Sequence, residues 1–190
     1  VARQYIEVAR TMDANEVQLD QLGIDVTRIN ARLLIAALGS IVDPKVAETY
    51  EDAGDVIRRG DVAIMGGVMP GQTTDAVAAA LAEYIDAELL VYATSVDGVY
   101  DADPSSGGEA RKLERLSPTE LVDIIVPMSR DAGASAPVDL LAAKLIERAG
   151  MRSIVLDGTD PSRIATAILT GDHSGTDIVC ADDPIALAHW

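Results

Sequence analysis

The stretch LLVYATSVDGVYDADP, residues 89–104, decides the fold class. Its first five residues are apolar and predict a short buried strand, while the polar residues that follow predict a turn at the carboxyl end of that strand. Two other stretches have the same form, DVAIMGG at residues 61–67 and SIVLD at residues 153–157. Helical patterns separate these strands, which is typical of an α/β protein with a mainly parallel sheet covered by helices.

Four amphipathic helices are predicted around these strands. The first contains residues 5–12, the second spans residues 24–38, the third follows the Thr73-Thr74-Asp75 cap, and the fourth contains residues 140–146 and ends before Gly150. A chain of 190 residues with 48% apolar content fits one domain, so we expect a single three-layer αβα sandwich over residues 1–190. Because Val1 opens the first helical pattern, we also expect an upstream strand to be missing.

The charge balance argues against one large class of functions. Asp and Glu number 31 against 15 Lys and Arg, which gives a formal net charge of −16. Proteins that bind nucleic acid through its phosphates are usually basic, so we expect no nucleic-acid partner. The acidity instead resembles that of proteins from a high-salt cytoplasm, where salt screens the repulsion between carboxylates.

The sequence also predicts a cytoplasmic protein without membrane contact. It has no apolar run of about eighteen residues, the length that a membrane span needs, and no signal-peptide pattern at its start. Cys180 is the single cysteine, so neither an internal disulfide nor a structural zinc site is expected.

A glycine-containing loop, GGVMPGQTTD at residues 66–75, has the form of an anion-binding site. It joins a strand end to a helix that opens on two threonines and an aspartate. Glycines let backbone N–H groups approach a ligand closely, and a helix N-terminus carries partial positive charge. Ordinary loops between a strand and a helix have the same form, so the loop alone does not establish a function.

The stretch TSVDGVYDADP, residues 94–104, resembles the T-x-V-D-G-V-Y-x-x-D-P motif that lines the ATP site of the amino-acid kinases. The resemblance implies that Thr94, Ser95, Tyr100 and Asp103 contact ATP. Thr94 and Ser95 follow a strand end, where nucleotides bind in α/β sheets, and the ring of Tyr100 can lie against adenine or ribose. The alternative, an Asp-Gly hairpin with a surface tyrosine, explains this stretch but not both motifs in this order.

Within this superfamily the chain resembles the archaeal uridylate kinases, from Val1 to the GDHSGTDI stretch at residues 171–178. The resemblance implies transfer of the γ-phosphoryl group of ATP to UMP, with Mg²⁺ as cofactor and a homohexameric assembly. It also implies a UMP-binding part at about residues 1–88, an ATP-binding part at about residues 89–178 and a short tail at residues 179–190. Because the first strand and the glycine loops of that family would precede Val1, we expect little or no turnover from the chain as written.

The UMP site implied by the resemblance combines an aspartate with a loop. Asp20 would accept hydrogen bonds from the ribose hydroxyls, a role that suits a carboxylate. The loop residues implied to bind UMP are Val68, Met69, Pro70, Gly71, Gln72, Thr73 and Thr74. The alternative for Asp20 is a cap at a helix N-terminus, and the two roles are compatible.

Three residues are candidates for the transfer step. Arg3, in the first turn of the first helix, would hold phosphate with several donors at once and also contact ATP. Asp75 would orient donors or the metal environment, and Lys144 would neutralise charge on the transferred group. The alternatives are a solvated arginine near the chain end and a helix-surface lysine paired with Glu147 or Asp139.

Rival functions stay open on the sequence. Isopentenyl phosphate kinase, acetylglutamate kinase and carbamate kinase share the ATP part of the fold, and a noncatalytic relative stores molybdenum oxyanions. The polar residues Asp20, Gln72 and Thr73 favour a ribonucleotide over an isoprenoid tail. Both histidines, His173 and His189, lie far along the chain from this segment, so neither is given a catalytic role.

Overall fold

The computed structural model describes residues 1–102, 110–128 and 137–180. The chain divides into two compact units, Val1–Val77 (unit 1) and Ala78–Trp190 (unit 2). The boundary falls inside a helix, so one continuous helical segment belongs partly to each unit.

Unit 1 consists of helices and two very short strands: α1 (Ala2–Arg10), α2 (Glu16–Leu38), a 3₁₀ turn (Gly39–Ile41), β1 (Val46–Ala47), α3 (Tyr50–Arg58), β2 (Ile64–Met65) and the first turn of α4 (Thr74–Tyr84). Helix α2 begins well before the predicted residue 24, because Asn15 and Gln18 form a capping box at its N-terminus. The prediction that Met12 belongs to the first helix is wrong. Asp13 has a φ of 59°, which a right-handed helix cannot continue through.

The strand predicted at residues 61–67 is only partly formed. β2 contains two residues and pairs in parallel with β1, with Val46 opposite Ile64, rather than with the other predicted strands. Backbone groups that flank β2 bond outside this ladder: the Val62 carbonyl accepts from the Asp43 N–H at 3.0 Å, and the Gly67 N–H donates to the Thr27 hydroxyl at 2.7 Å. Contacts with other segments therefore satisfy backbone groups that a longer strand would satisfy in a sheet.

Unit 2 contains a four-stranded sheet, a separate two-stranded pair and helices: the rest of α4, β3 (Leu90–Thr94), β4 (Val99–Tyr100), β5 (Lys112–Leu113), β6 (Arg115–Leu116), α5 (Pro118–Met128), α6 (Leu140–Ala149), β7 (Ser153–Asp157), α7 (Pro161–Thr170) and β8 (Thr176–Ile178). The four-stranded sheet has the order β3-β7-β8-β6. β3 pairs in parallel with β7 and β6 with β8, whereas β7 and β8 are antiparallel. The strands predicted at residues 89–93 and 153–157 are confirmed, as is the α/β class with a mainly parallel sheet.

Both faces of the paired strands β3 and β7 are buried. Tyr92 and Val155 belong to one hydrophobic cluster, which α4, α5 and α6 also line. Ile154 and Leu156 point to the opposite face and pack with Ala167 of α7. Unit 2 is therefore a helix–sheet–helix arrangement, in which the carboxyl ends of β3 and β7 lie side by side because the strands are parallel and in register from Leu90 to Thr94.

No helix among the described residues has both the length and the apolar character that crossing a membrane requires. Cys180, the single cysteine of the chain, lies with its sulfur 3.7 Å from the Gly150 carbonyl oxygen. Gly150 is the left-handed residue that ends α6, as the helix pattern predicts.

Candidate functional site

Asp20 and the predicted acceptor loop lie together in unit 1. The Asp20 carboxylate accepts a hydrogen bond from the Gly71 N–H at 2.8 Å, across 51 residues of sequence. Gly71 has a φ of 82°, a conformation that favours glycine, so most other residues would be strained at this point of the loop. The capping alternative for Asp20 is wrong, because Asp20 lies inside α2 and Asn15 caps that helix.

Two further side chains of α2 fix the start of this loop. The Thr27 hydroxyl accepts from the Gly67 N–H at 2.7 Å, and the Arg28 Nε donates to the Gly67 carbonyl at 3.1 Å. A methyl group on Gly66 would lie 2.9 Å from the Arg28 backbone nitrogen, so only glycine lets the loop approach the helix this closely. Nothing in the sequence singles out Thr27 and Arg28, although the Gly-Gly pair at the strand end indicates a close backbone approach.

The rest of the loop leads into α4. Gln72 accepts a hydrogen bond from the Tyr50 hydroxyl at 3.2 Å, and the Thr73 hydroxyl accepts from the Ala76 N–H at 3.1 Å. Thr73 thus caps α4, as the sequence predicts. Asp75 lies in the first turn of α4 and is partly buried. The remaining predicted loop residues divide by exposure: Val68 and Pro70 are partly buried, and Met69 and Thr74 are exposed.

Arg3 is exposed in the first turn of α1. This helix has no side-chain cap at Val1 and no acidic residue in its first turn. Arg3 and the start of this helix therefore occur in a turn that contains no acidic residue, and both favour an anion.

In unit 2 the predicted ATP residues begin at the carboxyl end of β3. The Thr94 hydroxyl accepts from the Val96 N–H at 3.0 Å, and the Thr94 carbonyl accepts from the Gly158 N–H at 2.8 Å. Ser95 is exposed in the turn that follows. The Asp97-Gly98 hairpin alternative is wrong, because β4 pairs with the distant β5 and not with a strand just before the Asp-Gly dipeptide. Asp103 lies outside the described residues.

Asp97, Tyr100 and Lys112 form a polar cluster on the β4–β5 pair. One Asp97 oxygen accepts from the Tyr100 hydroxyl at 2.9 Å and the other from the Lys112 ammonium at 3.1 Å. Lys112 also donates to the Ser174 carbonyl at 2.6 Å. Two hydrogen bonds lower the pKa of Asp97, that from Lys112 more than that from Tyr100. The hydrogen bond between Tyr100 and Asp97 also raises the pKa of the Tyr100 phenol. The carboxylate is thus charged and the phenol neutral at physiological pH.

A cavity of about 310 Å³, lined mostly by polar residues, opens beside the end of β7. Asp157, the last residue of β7, pairs with Arg163 of α7 at 3.0 Å, and hydrogen bonding from Thr159 is the main cause that lowers the pKa of Asp157. Asp157 is the register partner of Thr94, so the cavity lies at the same sheet edge as the predicted ATP residues. The acid–base pair in its wall is internally neutralised, and we assign the cavity no ligand.

Lys144 is placed as a helix-surface lysine. It lies on α6 with its side chain half exposed, and its ammonium is 2.9 Å from a Glu147 carboxylate oxygen. Asp139, the other partner considered from the sequence, instead caps α6 by accepting from the Leu141 and Ala142 N–H groups. The position of Lys144 therefore agrees with the alternative of a surface ion pair.

The described part of the chain has no preformed metal cage. Over residues 1–102, 110–128 and 137–180, no group of three or more His, Cys, Asp or Glu side chains is arranged to hold an ion. Kinase Mg²⁺ does not need such a cage, because one or two carboxylates, water and the substrate phosphates supply its oxygen ligands. Asp75, the carboxylate predicted to orient donors or the metal environment, is partly buried in the first turn of α4.

Comparison with known proteins establishes the family of this chain. Residues 1–157 match the amino acid kinase family. The chain belongs to the amino acid kinase family. A uridylate kinase from Haloquadratum walsbyi is 76% identical over 190 residues, which is all of this chain and 79% of that protein.

Solved structures agree with this membership. The crystal structure of the uridylate kinase from Archaeoglobus fulgidus matches with a TM-score of 0.82 at 44% identity, over 94% of this chain and 79% of that one. The UMP kinase from Ureaplasma parvum matches with a TM-score of 0.72 at 21% identity, over 92% of this chain and 76% of that one, and this likeness concerns the fold alone. The amino-acid-kinase fold expected from residues 94–104 is therefore confirmed.

Proposed function

We propose that this protein is a uridylate kinase, which transfers the γ-phosphoryl group of ATP to UMP and so makes UDP and ADP for pyrimidine nucleotide synthesis. The structural observation that carries the proposal is the acceptor loop of unit 1, held to the Asp20 carboxylate through the Gly71 amide at 2.8 Å. The similarity to the uridylate kinase of Haloquadratum walsbyi over the whole chain supports the same reaction.

Unit 1 is proposed to bind UMP. The Gly71 N–H occupies one oxygen of the Asp20 carboxylate, and the other oxygen is the proposed acceptor for the ribose hydroxyls. The loop at residues 68–74 is proposed to bind the rest of the nucleotide, with backbone N–H groups and the threonine hydroxyls as donors. Because side chains of α2 bond the backbone at Gly67 and Gly71, little order has to be created when UMP binds.

Unit 2 is proposed to bind ATP through Thr94, Ser95, Tyr100 and Asp103. Thr94 and Ser95 lie at the carboxyl end of β3, the edge where ligands gather in parallel sheets. The neutral Tyr100 phenol donates to Asp97, which fixes the ring orientation for a contact with adenine or ribose.

Phosphoryl transfer needs no nucleophile from the enzyme, since a UMP phosphate oxygen attacks the γ-phosphorus and ADP leaves. Mg²⁺ bound with ATP supplies neutralisation of the phosphate charge. Arg3 is proposed to bind phosphate oxygens, and Asp75 to orient donors or the metal environment at the start of α4. We give Lys144 no part in the step, because Glu147 already pairs with its ammonium.

The active protein is proposed to be a cytoplasmic homo-oligomer, at least a dimer and a hexamer if it assembles as the family resemblance implies. Large apolar side chains on and just after α2 support self-association, since Ile29 is 61% exposed and Leu33 and Ile41 are each 70% exposed. The net charge of −16 suits a salt-rich cytoplasm, as do the halophilic sources of the similar proteins. Light scattering in high salt tests this, and a monodisperse monomer would contradict it.

An acceptor panel tests the reaction on the chain extended upstream by the strand and glycine loops that the family resemblance implies before Val1. This extended protein is the wild type of every kinetic test, and the chain as written is its comparison, for which little or no turnover is expected. ADP release is measured in high salt with ATP, Mg²⁺ and one acceptor at a time: UMP, CMP or isopentenyl phosphate. We expect turnover with UMP and none with isopentenyl phosphate, and the CMP arm measures how selective the enzyme is for the base. Preferred turnover of isopentenyl phosphate would contradict the proposal. Calorimetric binding of molybdate without any turnover of UMP would instead identify an oxyanion-binding protein.

A further inference from the structure

Thr176 is a fully buried polar residue whose hydroxyl has two partners on the β4–β5 pair. Its side chain opens β8, with no exposed surface. The hydroxyl oxygen accepts from the Val99 N–H at 2.8 Å, and the hydroxyl donates to the Leu113 carbonyl at 2.6 Å. A buried hydroxyl is tolerated only when it is bonded in this way.

The two bonded backbone groups belong to residues that face each other. Val99 and Leu113 are register partners in the β4–β5 pair. One side chain from a distant strand therefore ties both strands of the pair to the four-stranded sheet. Each of the two strands contains two residues, so few ladder hydrogen bonds are available to hold the pair in place.

Two glycines, Gly98 and Gly175, allow the backbone to pack closely around Thr176. A methyl group on Gly98 would lie 2.6 Å from the Thr176 hydroxyl oxygen, and Gly98 has a φ of 153°. A methyl group on Gly175 would lie 2.3 Å from the Val155 carbonyl oxygen. Gly175 therefore lets the chain before Thr176 lie close to β7, and Gly98 lets the chain before β4 lie close to the Thr176 hydroxyl.

The residues next to this contact include Tyr100, one of the residues of the proposed ATP site. Tyr100 directly follows Val99, and Lys112, which directly precedes Leu113, bonds Asp97 and the Ser174 carbonyl. We propose that Thr176 is a positioning residue for ATP binding, whose hydroxyl sets the location of the β4–β5 pair and therefore of the Tyr100 ring. This inference rests on the proposed function.

The test compares Thr176→Val, which has the same shape without a hydroxyl, with Thr176→Ser, which keeps the hydroxyl. In Thr176→Val the Val99 N–H and the Leu113 carbonyl lose their buried partner, so we expect the KM for ATP to rise roughly tenfold. The KM for UMP should stay within about twofold in both variants, because unit 1 binds UMP in the proposal. Thr176→Ser should restore the KM for ATP to within about threefold of the wild type.

Thermal unfolding in high salt is followed for each variant, and rates are expressed per folded protein. If Thr176→Val does not fold, Thr176→Ala takes its place, since space for a water molecule then remains beside Val99 and Leu113, and an increase of at least about threefold in the KM for ATP is expected. An unchanged KM for ATP, or equal increases for ATP and UMP, would overturn the inference while wild-type turnover leaves the proposed function intact. A wild-type protein that neither makes UDP nor binds ATP would overturn both.

Discussion

The two units build their candidate sites by different means. In unit 1 the acceptor loop is fixed mostly by side chains of one helix, since Asp20, Thr27 and Arg28 of α2 bond the backbone of Gly67 and Gly71. In unit 2 the site lies on a sheet, where β3 and β7 are paired over five residues each and the parallel ladder itself fixes the strand ends.

This difference sets how each half should respond to change. A loop held by a few side-chain contacts loses order when one of them is removed, because no ladder holds its backbone in place. A site at the end of buried, paired strands tolerates single side-chain changes better, except where one side chain replaces a missing ladder bond, as Thr176 does. Mutation of the two halves can therefore break or sharpen the comparison.

The largest effect is expected at Asp20. Asp20→Ala removes both the acceptor for the ribose hydroxyls and the bond to the Gly71 amide. A hydrogen bond to a charged group contributes about 1.5–3 kcal/mol, so kcat/KM for UMP should fall roughly tenfold to 150-fold, with the KM for ATP within about twofold. Steady-state kinetics with each substrate varied in turn provides the measurement.

Asp20→Asn is the matched control. Its amide oxygen can still accept from Gly71, so the loop should keep its place and the loss should be smaller than in Asp20→Ala. Equal losses for UMP and ATP in either variant would mean that Asp20 supports the whole fold and not the acceptor half.

The close approach of the loop to α2 predicts the next effect. Gly66→Ala would place a methyl group 2.9 Å from the Arg28 backbone nitrogen and the Thr27 hydroxyl, so the backbone has to shift. Overpacking of this kind lowers the free energy of unfolding by about 1–3 kcal/mol. Denaturant unfolding in high salt measures it.

Gly23→Ala provides the comparison. Gly23 lies inside α2, and the nearest atom outside its own helix that the new methyl group would meet is the Ile6 Cδ1, at 3.9 Å. Alanine is favoured over glycine in a helix interior, so this change should stabilise the protein by about 0.5–1 kcal/mol. Similar destabilisation by Gly66→Ala and Gly23→Ala would show that close packing of the acceptor loop against α2 is not the cause of the effect at Gly66.

In unit 2 the Asp97 carboxylate predicts a small effect that depends on pH. Its bonds from Lys112 and Tyr100 lower the pKa of Asp97 below the ordinary 3.8. The stabilisation is therefore present above pH 3.8 and is lost as the pH falls through the lower pKa of the folded state. The side chain is 47% exposed, so Asp97→Asn should cost less than about 1 kcal/mol near pH 7, and the difference from wild type should shrink in acid. A difference that grows as the pH falls would contradict this account.

The smallest effect is expected at Lys144. A lysine that neutralises the transferred group would, when lost, lower kcat by about 10²–10³. The pairing of Lys144 with Glu147 leads us to expect that Lys144→Met changes kcat less than about twofold and shifts stability by less than about 0.5 kcal/mol. A decrease in kcat of about 10² in Lys144→Met would instead show that Lys144 takes part in the transfer step.

The sequence predicts unit 2 more accurately than unit 1. The strands at residues 89–93 and 153–157 show as apolar runs because both faces are buried, and their predicted bounds agree closely with β3 and β7. The run at residues 61–67 has the same appearance, yet only Ile64 and Met65 pair, because side chains of α2 bond part of the backbone around it.

The missed contacts are long-range ones. The loop at residues 66–75 and the pattern at residues 94–104 are local, and their residue types predict a ligand. Nothing local links Gly71 to Asp20, and nothing links Thr176 to Val99 across 77 residues. The start of α2 is different, because the Asn15–Gln18 capping pair that begins the helix is a local signal in the sequence.

The central claim is that unit 1 binds UMP and unit 2 binds ATP, and hydrogen–deuterium exchange of the wild-type protein tests it most directly. Amide exchange is followed by mass spectrometry in high salt, with UMP alone and with a nonhydrolysable ATP analogue alone. We predict that UMP slows exchange in peptides that cover residues 66–74, where the Gly67 and Gly71 amides bond α2. The ATP analogue should slow exchange in peptides that cover residues 94–100. Protection of residues 94–100 by UMP, with no change at residues 66–74, would contradict the account.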